Sequence, residues 1–173
     1  MIILMGIKHS GKTTQGKLLA ESLNVPFLDL DILIEEQYSK DRKYSFRELY
    51  LKLGESGFRN LETDAIKSVK MNNPGVLALG GGTIDNPIAM QVVKEVTIRI
   101  FLDADKLLLY NRIKKNGFPS FLKDSPEKLF SKLFLRRRTL YNNVATIIIP
   151  IGNDSQEELL HKILKNLRIY NER

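Results

Sequence analysis

Eight residues near the start of the chain combine the groups that hold a nucleotide phosphate: Gly6, Ile7, Lys8, His9, Ser10, Gly11, Lys12 and Thr13. Their spacing is G-x-x-x-x-G-K-[ST], the pattern of a phosphate-binding P-loop. Glycines let successive N–H groups curl around an anion, and the N-terminus of the helix that follows adds partial positive charge. Lys12 could reach the β- and γ-phosphates, and Thr13 could offer its hydroxyl to Mg²⁺. The flanks fit this chemistry. Ile2-Ile3-Leu4-Met5 is a short apolar run of the kind that forms a buried parallel strand, and Thr14 to Leu23 carries apolar residues at helical spacing. A mere glycine turn beside a surface lysine would not need such flanks.

Three further stretches carry reactive groups. Phe27-Leu28-Asp29-Leu30-Asp31 closes a second strand-like run. In an open parallel sheet ligands sit beyond the carboxyl ends of the strands, so both aspartates are expected near the phosphate site, on alternating sides of the chain. One could hold the water shell of Mg²⁺ and the other could take a hydroxyl proton; either could instead cap the next helix. Arg59 and Glu62, in Gly54-Glu55-Ser56-Gly57-Phe58-Arg59-Asn60-Leu61-Glu62, share a helix face. They form either a surface ion pair or an arginine fork held by Glu62 to grip a substrate carboxylate. Val76-Leu77-Ala78-Leu79 runs into Gly80-Gly81-Gly82-Thr83. Three glycines would let a substrate or phosphate approach the backbone, or would form a flexible turn.

Strand-like runs at Ile2–Met5, Pro26–Leu28, Val76–Leu79, Thr97–Leu102 and Ala145–Ile149 alternate with helix-like ones, which argues an α/β fold on a parallel sheet. Ser45 with Glu48 and Ser155 with Glu158 read as capping boxes. Asn86-Pro87 and Ser125-Pro126 mark two more helix starts, and Asp103 is placed to cap a helix through Leu107–Leu109. Between Lys114 and Asp124 the periodicity fades around Asn116-Gly117 and Pro119, which predicts a mobile loop between two helices.

At 173 residues the chain is expected to form one domain. It has no cysteine, so neither a disulfide framework nor Cys-ligated zinc is available. No apolar run is long enough to cross a bilayer, the short apolar start lacks a basic leader, and a cytoplasmic location is expected. Twenty-seven basic and 20 acidic residues give a net charge of +7, spread along the chain except for Arg136-Arg137-Arg138. That field suits anionic nucleotides and an anionic substrate; without interleaved aromatics it does not indicate a nucleic-acid binder.

Taken together, GIKHSGKT, FLDLD, GESGFRNLE, LGGGT and RRTLY resemble the shikimate kinases, small P-loop kinases, over nearly the whole length. The resemblance implies a three-layer sandwich: a five-stranded parallel sheet in the order 2-3-1-4-5 between helices, with a mobile lid at about 114–124. It implies ATP-dependent phosphorylation of the shikimate 3-hydroxyl, giving shikimate 3-phosphate and ADP on the route to chorismate. It implies that Gly6, Lys8, His9, Ser10, Gly11, Lys12, Thr13 and Thr14 bind ATP phosphates. Mg²⁺ would sit at Thr13, with Asp29 reaching it through water. Asp31 would bind the substrate hydroxyls and act as the base. Arg59, supported by Glu62, would bind the carboxylate together with Arg137, and Gly80, Gly81 and Gly82 would line the substrate pocket. Arg112 would pack on adenine, with Ile151 to Asp154, including Asn153, as the adenine loop. ATP and shikimate are then the partners of an expected monomer, without nucleic acid or membrane.

The chain departs from the family pattern at two places. Thr139 stands where proline is usual in R-x-P-L-Y. Phe118-Pro119 stands where the lid normally carries an arginine, leaving Lys114, Lys115 and Lys123 as the cations at hand. The rival readings are a P-loop kinase of another hydroxylated substrate such as gluconate, and a catalytically idle nucleotide-binding module.

Overall fold

The computed structural model describes residues 1–38, 44–117 and 125–172. Five strands form one parallel sheet: β1 (Ile2–Met5), β2 (Phe27–Asp29), β3 (Val76–Ala78), β4 (Ile98–Ala104) and β5 (Ile147–Ile151). Their order is β2-β3-β1-β4-β5, as expected. The register aligns Leu4 with Ala78 on one side and with Ile100 on the other. Chain direction reverses its progress across the sheet at β1, so the loops after β1 and β3 flank the switch point where α/β sheets bind ligands.

Apolar runs make the central strands. Ile3, Leu4, Met5, Val76, Leu77, Ile100 and Leu102 are fully buried, as a sheet covered by helices on both faces requires. The edge strand β5 instead alternates buried and exposed residues and includes Pro150. An edge position tolerates a residue that cannot donate to the ladder. That is why β5 runs through Pro150 to Ile151, two residues past its expected end. β4 likewise extends to Ala104.

The helices are α1 (Lys12–Leu23), α2 (Leu30–Tyr38), α3 (Phe46–Ser68), α4 (Pro87–Glu95), α5 (Lys106–Asn116), α6 (Pro126–Val144) and α7 (Gln156–Asn171). Ser45 and Ser155 make the capping boxes read from the sequence, and Asn86 caps α4 through the Ala89 N–H. Three local expectations are corrected. Asp105, not Asp103, caps α5, because its carboxylate accepts from the N–H groups of Leu107 and Leu108; Asp103 lies in β4 and pairs with Arg138. Ser125 occupies the cap position of α6 but its side chain makes no cap bond. Lys114 and Lys115 belong to the last turn of α5 rather than to a loop, where cations oppose the helix's negative end. Thr139 sits inside α6, and its hydroxyl donates back to the Leu135 carbonyl at 3.0 Å, so the helix continues through the position where proline is usual.

Within α3, Gly54 adopts φ 68° and ψ −178° and kinks the helix. The second half then carries Arg59 and Glu62. Among the described residues no helix is long and apolar enough to cross a membrane.

Candidate active site at the carboxyl edge of the sheet

Because all five strands are parallel, their carboxyl ends open on one side. A cleft of about 1040 Å³ runs along that edge, bounded by the P-loop, the ends of β2 and β3, the kinked part of α3, α5 and α6.

The phosphate end is built by residues 6–14. Gly11 is the N-cap of α1 in a left-handed conformation, and the first turn holds no acidic residue, so side chains do not compete for the helix amides. Lys12 is 8% exposed, and its Nζ donates to the carbonyls of Gly6 at 3.0 Å and Ile7 at 3.3 Å. Burial lowers its pKa to about 8, partly offset by Asp31 and Asp29. It stays cationic at neutral pH, and an anion would hold it so. His9 takes φ 67°, and its carbonyl accepts from Arg112 Nη1 at 2.9 Å, which anchors the loop to α5. Burial, then the charges of Lys8, Lys12 and Arg112, hold the His9 imidazole below its usual pKa. Ser10 Oγ is buried with no bonded partner among the described residues.

Thr13 Oγ1 donates to Asp29 Oδ2 at 2.7 Å, and Asp29 Oδ1 accepts from the Asp31 N–H at 3.1 Å. Asp29 therefore both caps the start of α2 and faces Thr13. Asp31 lies past the end of β2, in the first turn of α2. It enters the cleft, with Oδ1 buried and without a bonded partner among the described residues. Burial, reinforced by Asp29 and opposed by Lys12, raises its pKa to about 6. A hydroxyl and a carboxylate, both hard oxygen donors, fit Mg²⁺, which keeps waters and takes few protein ligands. Among the described residues no group of three or more His, Cys, Asp or Glu could hold a metal, so Mg²⁺ here would share its ligands with a nucleotide.

The glycine-rich turn after β3 closes the middle of the cleft. A Cβ on Gly81 would stand 2.8 Å from the Lys8 nitrogen, so the turn meets the P-loop backbone to backbone. A Cβ on Gly80 would stand 2.6 Å from Asp31 Oδ1. Tyr141 of α6 ties the two loops together: its buried hydroxyl lies 3.1 Å from the Gly6 carbonyl and 3.3 Å from that of Gly81. Burial raises the phenol's pKa, so it remains a donor.

At the far end stand the arginines. Arg59 Nη1 donates to Glu62 Oε2 at 3.0 Å and to the Gly82 carbonyl at 2.9 Å. Glu62 is 2% exposed and also accepts from Thr83 Oγ1 at 2.6 Å and Asn86 Nδ2 at 3.0 Å. The two residues do more than share a helix face: the glutamate is a buried anchor. Arg137 donates to Asp85 Oδ2 through Nε at 2.9 Å and Nη2 at 2.7 Å.

The structure thus brings residues 7–14, Asp29, Asp31, Arg59, Glu62, Gly80–Gly82, Arg112 and Arg137 around one cleft, while Gly6 stands behind the lining and takes part through its carbonyl, which accepts from Lys12 and Tyr141. It does not bring Asn153 there: that side chain is exposed, while Ile151, Asp154, Ser155 and Gln156 line the cleft instead. Phe118, Pro119 and Lys123 lie outside the described residues. Asp85, Thr83, Asn86 and Tyr141 were not singled out from the sequence as site residues. Thr83, Asp85 and Asn86 directly follow the glycines, and that adjacency is the only local signal; Tyr141 stood in the RRTLY motif without a role.

A phosphate-binding loop facing an acid across one cleft places the chain among the P-loop phosphotransferases. A family model described as shikimate kinase matches residues 8–168, and the chain belongs to the shikimate kinase family. A shikimate kinase from Macrococcus caseolyticus is 35% identical over 156 residues, covering 89% of this chain and 88% of that protein. One from Psychrobacter cryohalolentis is 32% identical over 170 residues, covering 98% and 89%. Among solved structures, shikimate kinase from Acinetobacter baumannii in complex with shikimate superposes with a TM-score of 0.86 at 31% identity, over 98% of this chain and 93% of that one. Membership of the family makes the chain an ATP-dependent kinase with a hydroxyl acceptor.

Proposed function

We propose that this enzyme transfers the γ-phosphoryl group of ATP to the 3-hydroxyl of shikimate, using the cleft residues in the roles their positions suit. The observation that supports this most is the arrangement along one cleft: a P-loop at one end, a buried carboxylate in the middle and two acid-held arginines at the other.

Arg59 and Arg137 grip the substrate carboxylate, which turns the ring's hydroxyls toward Asp31. Asp31, with its pKa near 6, is ionised at neutral pH yet basic enough to accept a proton from a hydroxyl as it attacks. The hydroxyl oxygen forms a bond to the γ-phosphorus, the bond from that phosphorus to the β,γ-bridging oxygen breaks, and ADP leaves with the electron pair. Lys12 and the loop amides hold the developing charge on the phosphoryl oxygens. Thr13, with Asp29 through water, would hold Mg²⁺, which would supply positive charge against the β- and γ-phosphates. Lys114 and Lys115, exposed at the end of α5, are the candidate cations for the charge that a lid arginine would supply.

Coupled ADP release with a panel of hydroxy acids tests this reading. Release with shikimate and not with gluconate is the expected result. Release with gluconate alone would move the chain to the rival kinase, and release with none would leave an idle nucleotide-binding module.

A further inference from the structure

Both arginines at the substrate end are held by acids, and the roles above account for only one of them. Glu62 anchors Arg59; the acid on Arg137 is Asp85. We propose that Asp85 is the positioning residue for Arg137, fixing the direction of its guanidinium so that the free edge meets the substrate's carboxylate. This rests on the reading of Arg137 as a carboxylate clamp.

The geometry is specific. Nε and Nη2 of Arg137 converge on the single oxygen Oδ2 of Asp85, at 2.9 and 2.7 Å. Those two donors form one edge of the planar guanidinium, so binding them fixes its rotation and leaves the Nη1–Nη2 edge for a second anion. The pair is sheltered, with side chains 12% and 10% exposed, so it escapes the screening that makes surface ion pairs weak.

Asp85 sits on the same short turn that organises the other clamp. It ends a 3-10 segment, Thr83–Asp85, and its N–H donates to the Gly82 carbonyl at 3.0 Å. That same carbonyl accepts from Arg59, while Thr83 donates to Glu62. A Cβ built on Gly82 would lie 3.3 Å from Arg137 Nη2 and 3.6 Å from Arg59 Nη1 and Nη2. Both guanidiniums therefore reach the same point above the glycine turn, from helices far apart in the chain. Arg136 also donates to Asp85 Oδ2, at 2.9 Å, but its side chain is 59% exposed. Its charge offsets the acid, so the clamp's field stays positive toward a carboxylate. Asp85 Oδ1 is buried without a bonded partner among the described residues, so the bonds its carboxylate makes go to the arginines alone.

Steady-state kinetics of Asp85→Asn, Asp85→Glu, Arg137→Ala and the Asp85→Asn/Arg137→Ala double variant test the proposal. Asp85→Asn should raise KM for shikimate about tenfold, with KM for ATP unchanged, because a misaimed ground-state contact weakens binding of one substrate only. In the Arg137→Ala background Asp85→Asn should add nothing further to the shikimate KM. An unchanged shikimate KM in Asp85→Asn, an equal rise in both KM values, or a further rise in the Arg137→Ala background would overturn it. If Asp85→Asn does not fold, Asp85→Glu decides: the longer acid displaces the fork and should raise shikimate KM selectively, and no rise overturns the proposal. If Arg137→Ala itself leaves shikimate KM unchanged, the clamp reading falls and this inference with it. A normal Asp85→Asn beside an impaired Arg137→Ala overturns this inference alone.

Discussion

Asp31 is pulled in two directions. Burial, reinforced by Asp29, disfavours its ionisation and Lys12 favours it; burial dominates, and the pKa stands at about 6. As the proposed base it must be ionised, so kcat/KM should fall as pH drops through about 6, and Asp31→Asn should lack that limb. The same substitution should lower kcat by about 10²–10⁴, the usual scale of general-base catalysis, with little change in KM for ATP. Stability should move the other way. A carboxyl whose folded pKa exceeds its value of 3.8 in the open chain binds more protons when folded. Its ionisation therefore destabilises the fold progressively from about pH 4 to 6, and the full cost remains above that range. Asp31→Asn should accordingly melt higher than the parent at pH 7, with the gap closing toward pH 4; a variant that melts lower at pH 7 would contradict this. Lys12→Ala should fold but lose about 10²–10³ in kcat, as removal of one fixed charge beside a reacting group does. Parent-like turnover would remove Lys12 from the phosphate site.

Elements decide what the local sequence could and could not reveal. The P-loop was legible because strand, turn and helix are contiguous and each residue type has one geometric reason. The Asp85 link was not, because its partner Arg137 lies 52 positions away and only the docking of α6 on the sheet brings them together. Either Asp29 or Asp31 could cap the next helix on local grounds; Asp29 takes the cap, accepting from the Asp31 N–H, and Asp31 falls in the first turn of α2. Tyr141 shows the same distance problem: it stacks on Phe101 of β4, with ring centroids 5.0 Å apart, and its hydroxyl reaches two loops. Tyr141→Phe removes that buried donor and should cost about 1 kcal/mol, read as a lower urea midpoint at unchanged slope. Gly81→Ala pushes a methyl into the Lys8 backbone and should raise KM for ATP while the fold persists; an unchanged KM would mean that the P-loop can yield.

At the scale of the whole molecule, alternation of apolar runs and helical segments was enough to read the parallel sheet and its order by family resemblance. The edge strand β5 runs two residues past its expected end, through Pro150, because an edge position relaxes the usual rules. The net charge of +7 bears on function rather than fold. Both proposed substrates are anions, so KM for each should rise with ionic strength as the positive field is screened. The central claim is that one cleft holds ATP at the P-loop and presents a particular hydroxyl of shikimate to it. ³¹P and ¹H NMR of the product formed from equimolar ATP and shikimate tests this most directly. The account predicts one new phosphate ester, on the 3-hydroxyl, appearing in step with ADP; ADP formed with free inorganic phosphate, or an ester at another hydroxyl, would contradict it.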